Sequence, residues 1–228
     1  LHSLIGGGAL PLPGEMSLAH RGVLCLDELP EAKRDTLEAL RGPLEERAIH
    51  VSRLHGGSSF PADCLVIATM NPCPCGYYGS SRSCRCSEYQ RLAYRRKLSG
   101  PLLDRFDISI PIQTVPFSES QRTKKVYKNQ HKTVVESINV ANNTQNKRYN
   151  SSDVYNGNAP SNAVQSFAIA PSAQRLLTQA IRSLRLSHRS HQKVLRLART
   201  IADLEAHETI EMTDIAEALS LRVSLWSE

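Results

Sequence analysis

Two carboxylates, Asp27 and Glu28, stand side by side at the end of the apolar run VLCL. Acids at the carboxyl end of a buried parallel strand lie where open α/β sheets bind ligands. An aspartate there can reach the Mg²⁺ of a bound nucleotide, directly or through water. A glutamate beside it can orient or polarise the water that attacks the γ-phosphate. A second apolar run, LVIATM, ends in Asn71. An amide there can hold the attacking water between itself and Glu28. Each signal alone has a plainer reading. Acids often close strands without chemistry, and Asn before Pro often only starts a turn.

Four of the six cysteines, Cys73, Cys75, Cys84 and Cys86, form C-P-C-x8-C-R-C. Two close pairs across a short loop can close a tetrahedral thiolate site, which points to structural Zn²⁺. The C-x-C spacing is tighter than the usual C-x2-C. Free thiols or a labile disulfide are the alternatives. Cys25 and Cys64 lie inside apolar runs and read as small core residues. The surrounding run 82–97 holds six Lys/Arg against the single acid Glu88. Those arginines can compensate thiolate charge or meet a phosphate backbone. A second basic run, 175–199, has seven Lys/Arg and no acid. Arg182, Arg185, Arg189, Lys193 and Arg196 step at three or four residues, so they follow one side of a helical path.

The elements that must position these groups follow from periodicity. Gly22–Leu26 reads as a buried strand, then PEAKRDTLEALRGPLEER as a helix with Leu37, Leu40 and Leu44 at helical spacing and a bend or stop at Pro43. AIHVSRLHGGSSFPADC suggests a hairpin around Gly56-Gly57. DCLVIATMNP is a second buried strand, and SGPLLDRFDISIPI a short helix followed by a third strand. Over 117–165 the chain is rich in Asn, Ser, Lys and Gln, which predicts a polar linker or loosely ordered insertion. Helical patterns then return over 166–228, the last starting at an N-cap, Thr213. The expected organisation is an α/β core over 1–116, the linker over 117–165 and a helical domain over 166–228.

The net charge of +6 is uneven, +1 over 1–116 and +5 over 117–228. A mildly basic balance is compatible with nucleic acid and equally with an ordinary solvated surface. No run of 18 apolar residues marks a membrane span, and LHSLIGGGAL lacks the features of a signal peptide, so a cytoplasmic location with no membrane partner is the expectation.

Several ordered blocks carry a resemblance. LIGGGALPLPGEMSLAHRGVLCLDELPEAKRDTLEALRGPLEER, MNPCPCGYYGSSRSCRC, KLSGPLLDRFD and LSHRSHQKVLRLARTIADLE resemble the ComM/YifB family of magnesium-chelatase-like AAA+ ATPases. The resemblance covers nearly the whole chain, least well the polar stretch and the last residues. It implies the C-terminal part of a AAA+ P-loop core with an α-helical lid. Asp27 and Glu28 match Walker B, and Asn71 matches sensor 1. Arg105, in LLDRF, matches the arginine finger that serves a neighbouring subunit's nucleotide. Arg189 matches sensor 2, Arg196 being the other candidate. The hairpin residues Arg53 and His55 match a segment that in related hexameric motors faces the pore and can touch DNA; a plain solvent hairpin is the alternative.

The implied cofactors are ATP and Mg²⁺, and the implied partners are DNA, single-stranded or branched, and further copies of the chain in a hexamer. The implied work is DNA translocation and branch migration in natural transformation. Two other readings stand beside it. One is a chelatase-type motor for metal insertion into a tetrapyrrole, against which the cysteine block speaks. The other is an inactive fragment or binding module. No G-x-x-x-x-G-K-[ST] occurs in the chain, so its phosphates lack a cradle. The resemblance puts that loop upstream of the block matching Leu1. The 228 residues alone are therefore expected neither to bind ATP tightly nor to hydrolyse it.

Overall fold

The structure is a computed structural model and describes residues 2–8, 11–53, 56–113 and 127–223. It divides into two compact units, Leu1–Phe106 and Asp107–Glu228.

The first unit is mixed α/β. Its leading segment holds α1 (His2–Ile5), the short antiparallel pair β1 (Gly6–Gly7) and β2 (Leu12–Pro13), and α2 (Glu15–Leu18). The predicted strand is β3 (Val23–Leu26). It pairs in parallel with β6 (Leu65–Ala68), register Val23↔Leu65 to Leu26↔Ala68. Between them run α3 (Arg34–Ala39), α4 (Pro43–Glu46) and the antiparallel hairpin β4 (Ala48–Arg53) and β5 (Gly56–Pro61). The helix breaks at Gly42-Pro43, as proline demands. Leu37 and Leu40 are buried with Met16, Leu29, Ile49, Ala62, Leu98 and Leu102. After β6 come the cysteine loop, α5 (Glu88–Arg95) and α6 (Gly100–Leu103). A reciprocal Ser87/Gln90 capping box starts α5.

Two expectations fail here. The parallel strands bury one face only. Leu24, Leu26, Val66 and Ala68 pack on the core. Val23, Leu65 and Ile67 are 54, 61 and 48 % exposed, and Cys25 shares their outward face rather than a core. Strict alternation about the pleat makes this unavoidable, because no described layer covers that side. Cys64 is half-buried, and burial raises its thiol pKa.

The second unit is helical where described. The third expected strand lies at its start and does not form. Residues 107–113 run without regular structure, and Ile108, Ile110 and Ile112 are exposed. No described strand lies alongside, so only isolated bonds form, such as Ser109 N–H to the Leu221 carbonyl at 2.7 Å. The described part of 117–165, expected as a polar linker or loosely ordered insertion, is largely helical. It contains the 23-residue helix α7 (Tyr127–Tyr149) and α8 (Ser161–Gln165). Then follow α9 (Pro171–Ser183), α10 (His188–Leu204) and α11 (Met212–Val223). Ala173, Leu177, Val194, Leu195, Ala198, Ala202, Ile215 and Ala218 form the core. α11 starts at Met212, so Thr213 is inside it. Asp214 does the capping, its carboxylate accepting the Glu211 N–H at 2.8 Å.

Besides burial of Ala141 and packing of Tyr149 on the core, polar and non-local bonds order α7. Arg148 donates two bonds to Asp203, at 2.7 and 2.5 Å. Asp203 is fully buried and also receives Arg199 Nε at 3.1 Å and Asn156 Nδ2 at 2.8 Å. Asn156 in turn accepts from the Tyr149 hydroxyl at 2.7 Å. No helix in the described residues is long and apolar enough to cross a membrane.

Candidate functional site

The parallel pair β3/β6 brings the ends of both predicted strands together. Asp27 and Glu28 follow β3 and are exposed; Thr69 and Asn71 follow β6. Thr69 stitches the two ends. Its hydroxyl donates to Asp27 Oδ1 at 2.5 Å and accepts the Glu28 N–H at 3.0 Å. Its carbonyl accepts the Leu29 N–H at 2.9 Å. Asn71 Nδ2 donates to Glu28 Oε1 at 3.1 Å. Glu28 has a left-handed backbone, φ 48° and ψ 50°. That costs a non-glycine residue about 1–2 kcal/mol. Such strain collects where a side chain must be aimed.

The residue pattern singles out Asp27, Glu28 and Asn71, and the structure brings these three together. It does not single out Thr69. The signal exists only as a hydroxyl two residues before Asn71 on a strand end, a position that proximity to the acids makes meaningful.

Tyr94 of α5 is buried beside this end, its hydroxyl accepting from the Asn71 backbone N–H. Burial raises its pKa, and the charges of Glu31 and Glu28 add to the rise. Two residues past Asn71 begins the thiol cluster. Cys73 Sγ lies 3.5 Å from Cys75 and 3.7 Å from Cys84, and Cys75 lies 3.6 Å from Cys84. All four sulfurs fall within 4.8 Å of one another. Zn–S bonds of about 2.3 Å in a tetrahedron put sulfurs about 3.8 Å apart, so the cluster fits a zinc ion. Backbone N–H groups of Tyr77 and Arg85 pull Cys75 down to about 6. Cys86 accepts the Cys75 N–H, which lowers it, but desolvation and the three other sulfurs prevail and push it up to about 12.

Arg105 is only 14 % exposed at its side chain. Its Nε donates to the Arg41 carbonyl at 3.2 Å, its Nη1 to the Pro101 carbonyl at 2.5 Å and its Nη2 to Glu45 at 2.7 Å. Arg189 belongs to the second unit, on the first turn of α10, and is half-buried. One turn on, Lys193 pairs with Asp107 at 2.8 Å, and burial lowers its pKa against the pull of Asp107. Arg196 bonds the carbonyls of Gly157 and Ala159. Arg53 ends β4, its backbone paired with Gly56; His55 lies outside the described residues.

Two sequence families account for nearly all of this chain. The family described as magnesium chelatase, subunit ChlI, matches residues 1–120. Its C-terminal companion matches residues 128–222. The chain belongs to the magnesium chelatase subunit ChlI family. Within it, the resemblance to YifB and ComM holds. The YifB protein of Escherichia coli strain K12 is 40 % identical over 97 % of this chain and 43 % of its own length. The competence protein ComM of Haemophilus influenzae is 38 % identical over 96 % of this chain and 42 % of its own length. The DNA replication licensing factor MCM2 of Arabidopsis thaliana is 31 % identical over 45 % of this chain and 10 % of its own length. The chain thus spans less than half the length of these curated relatives. The C-terminal family match begins inside α7, so the polar helix belongs with the helices that follow it.

Proposed function

We propose that this chain supplies the metal-and-water half of the ATP site in a ComM/YifB-like AAA+ ATPase that works on DNA. The observation that carries the reading is the strand-end constellation: Thr69 fixing Asp27 and the Glu28 backbone, and Asn71 fixing the Glu28 carboxylate. Asp27 would hold Mg²⁺, directly or through water, and the ion would supply neutralising charge to the phosphates. Glu28 would accept a proton from, or orient, the attacking water, with Asn71 as the second hand on it. Arg105 would act on a neighbouring subunit's nucleotide, as in a hexamer. To do so its guanidinium would exchange Glu45 for phosphoryl oxygens, a swap of one anion for another. Arg189 would act as sensor 2, with Arg196 already committed to backbone carbonyls. The phosphate cradle would be supplied outside the matched residues. The four thiols would hold a structural zinc ion.

The DNA reading rests on the likeness to ComM, named a competence protein, and to MCM2, named a DNA replication licensing factor. A chelatase-type motor is the second reading, favoured by the family description itself. ATP turnover of the full-length protein, with and without single-stranded DNA, separates them. DNA-stimulated turnover is expected. Turnover indifferent to DNA and raised by a tetrapyrrole-bearing partner contradicts the DNA reading.

A further inference from the structure

The cysteine loop carries a surface that the ATP site does not use. Three tyrosines are exposed on or next to it, Tyr77, Tyr78 and Tyr89, the last 80 % so. Arginines are interleaved with them. The Arg91 guanidinium lies 4.3 Å from the Tyr78 ring centroid, and that of Arg82 lies 5.3 Å from Tyr77, whose hydroxyl accepts from Arg82 at 3.2 Å. Arg82, Arg85 and Arg91 have no ion-pair partner among the described residues. Over 82–97 the chain has one carboxylate, Glu88, against six cations. Lys97 is already paired with Glu31. The turn is held in place: the four sulfurs gather both ends of the loop, and α5 is capped by Ser87 and Gln90 and anchored by buried Tyr94.

The second basic run differs. Residues 175–199 contain no tyrosine, phenylalanine or tryptophan, and several of their cations are engaged by Asp107, Asp203 and backbone carbonyls. Charge alone attracts any polyanion, whereas guanidinium groups set beside exposed rings offer contacts to both phosphates and bases.

We infer that the cysteine loop and the start of α5, which carry Tyr77, Tyr78, Arg82, Arg85, Tyr89 and Arg91, form a binding surface for single-stranded nucleic acid. This deepens the DNA reading above and rests on it. Phosphates meet Arg82, Arg85 and Arg91. Bases stack on the exposed rings, Tyr89 foremost.

The test is anisotropy of a labelled 20-mer of deoxythymidine with the full-length protein across a salt series. The charge-neutral variant R82Q/R85Q/R91Q is expected to bind about 10- to 100-fold more weakly at moderate salt. Its log–log salt slope should flatten by about 2, at about 0.7 for each phosphate no longer neutralised. R82K/R85K/R91K should keep most of that slope. Tyr89→Ala should weaken binding about fivefold or more with an unchanged slope. Zinc content and circular dichroism equal to wild type show that the loop is intact; if R82Q/R85Q/R91Q fails this control, Tyr89→Ala and the lysine variant decide alone. Wild-type affinity and slope in the neutral variant overturn the surface and leave the DNA reading standing. Failure of the wild-type protein to bind the 20-mer at any salt overturns both.

Discussion

Asp27 and Asp203 are both aspartates held by side-chain hydrogen bonds, yet their partners differ in kind. Asp27 is exposed and takes one bond from a neutral hydroxyl, Thr69. Asp203 is fully buried and takes bonds from two guanidinium groups and an amide. The first carboxylate is steered but not neutralised, so its charge remains available to a cation. The second is fully neutralised, and its charge is committed to holding α7 to α10. A neutral hydrogen bond aims an acid; a paired cation consumes it. Glu28 follows the first pattern, with Asn71 as its neutral partner and a strained, left-handed backbone accompanying the aim.

The widest contrast should come from removing each acid. Asp203→Ala leaves buried Arg199 and half-buried Arg148 without their carboxylate and should destabilise the second unit by about 3–5 kcal/mol. Asp27→Ala removes one exposed hydrogen bond and should cost about 1 kcal/mol or less. Urea unfolding midpoints of the two variants check this, and equal losses would mean that the two aspartates are held alike. Next in size is Thr69→Val. It removes the donor to Asp27 and the acceptor of the Glu28 N–H, and should cost about 1–3 kcal/mol in the turn and in metal–nucleotide affinity. Titration of Mg²⁺-nucleotide binding by the full-length variant reads it. Smallest is Glu28→Gly. Relief of the left-handed strain should offset the missing Asn71 bond, leaving stability within about 1 kcal/mol of wild type. A thermal melt checks that. A large loss of stability would show that Glu28 serves the fold and not a ligand.

The same contrast separates what the sequence shows from what only the fold shows. Asp27, Glu28 and Asn71 can be placed because apolar runs fix where parallel strands end, and ligand chemistry gathers at such ends. The cysteine spacing likewise announces a cluster, and the sulfurs do converge. Thr69 is invisible because its role depends on register between strands more than 40 residues apart, which no local pattern encodes. α7 escapes for a related reason. Its sequence is polar, and part of its order comes from Arg148 reaching Asp203, 55 residues away. The outward face of Val23, Leu65 and Ile67 is misjudged because a wholly apolar run does not say which face the described chain covers. Residues 107–113 have strand-like alternation, but a strand needs a neighbour, and none is described there.

If Glu28 activates water while its surroundings hold metal and nucleotide, binding and turnover should separate when its carboxylate is removed. Comparing ATP binding and ATP turnover in full-length Glu28→Gln tests it most directly. Glutamine keeps the shape and an acceptor for Asn71 but cannot take a proton. Nucleotide affinity close to wild type, with turnover reduced about 100-fold or more, is the predicted result. Turnover equal to wild type would remove Glu28 from the chemistry.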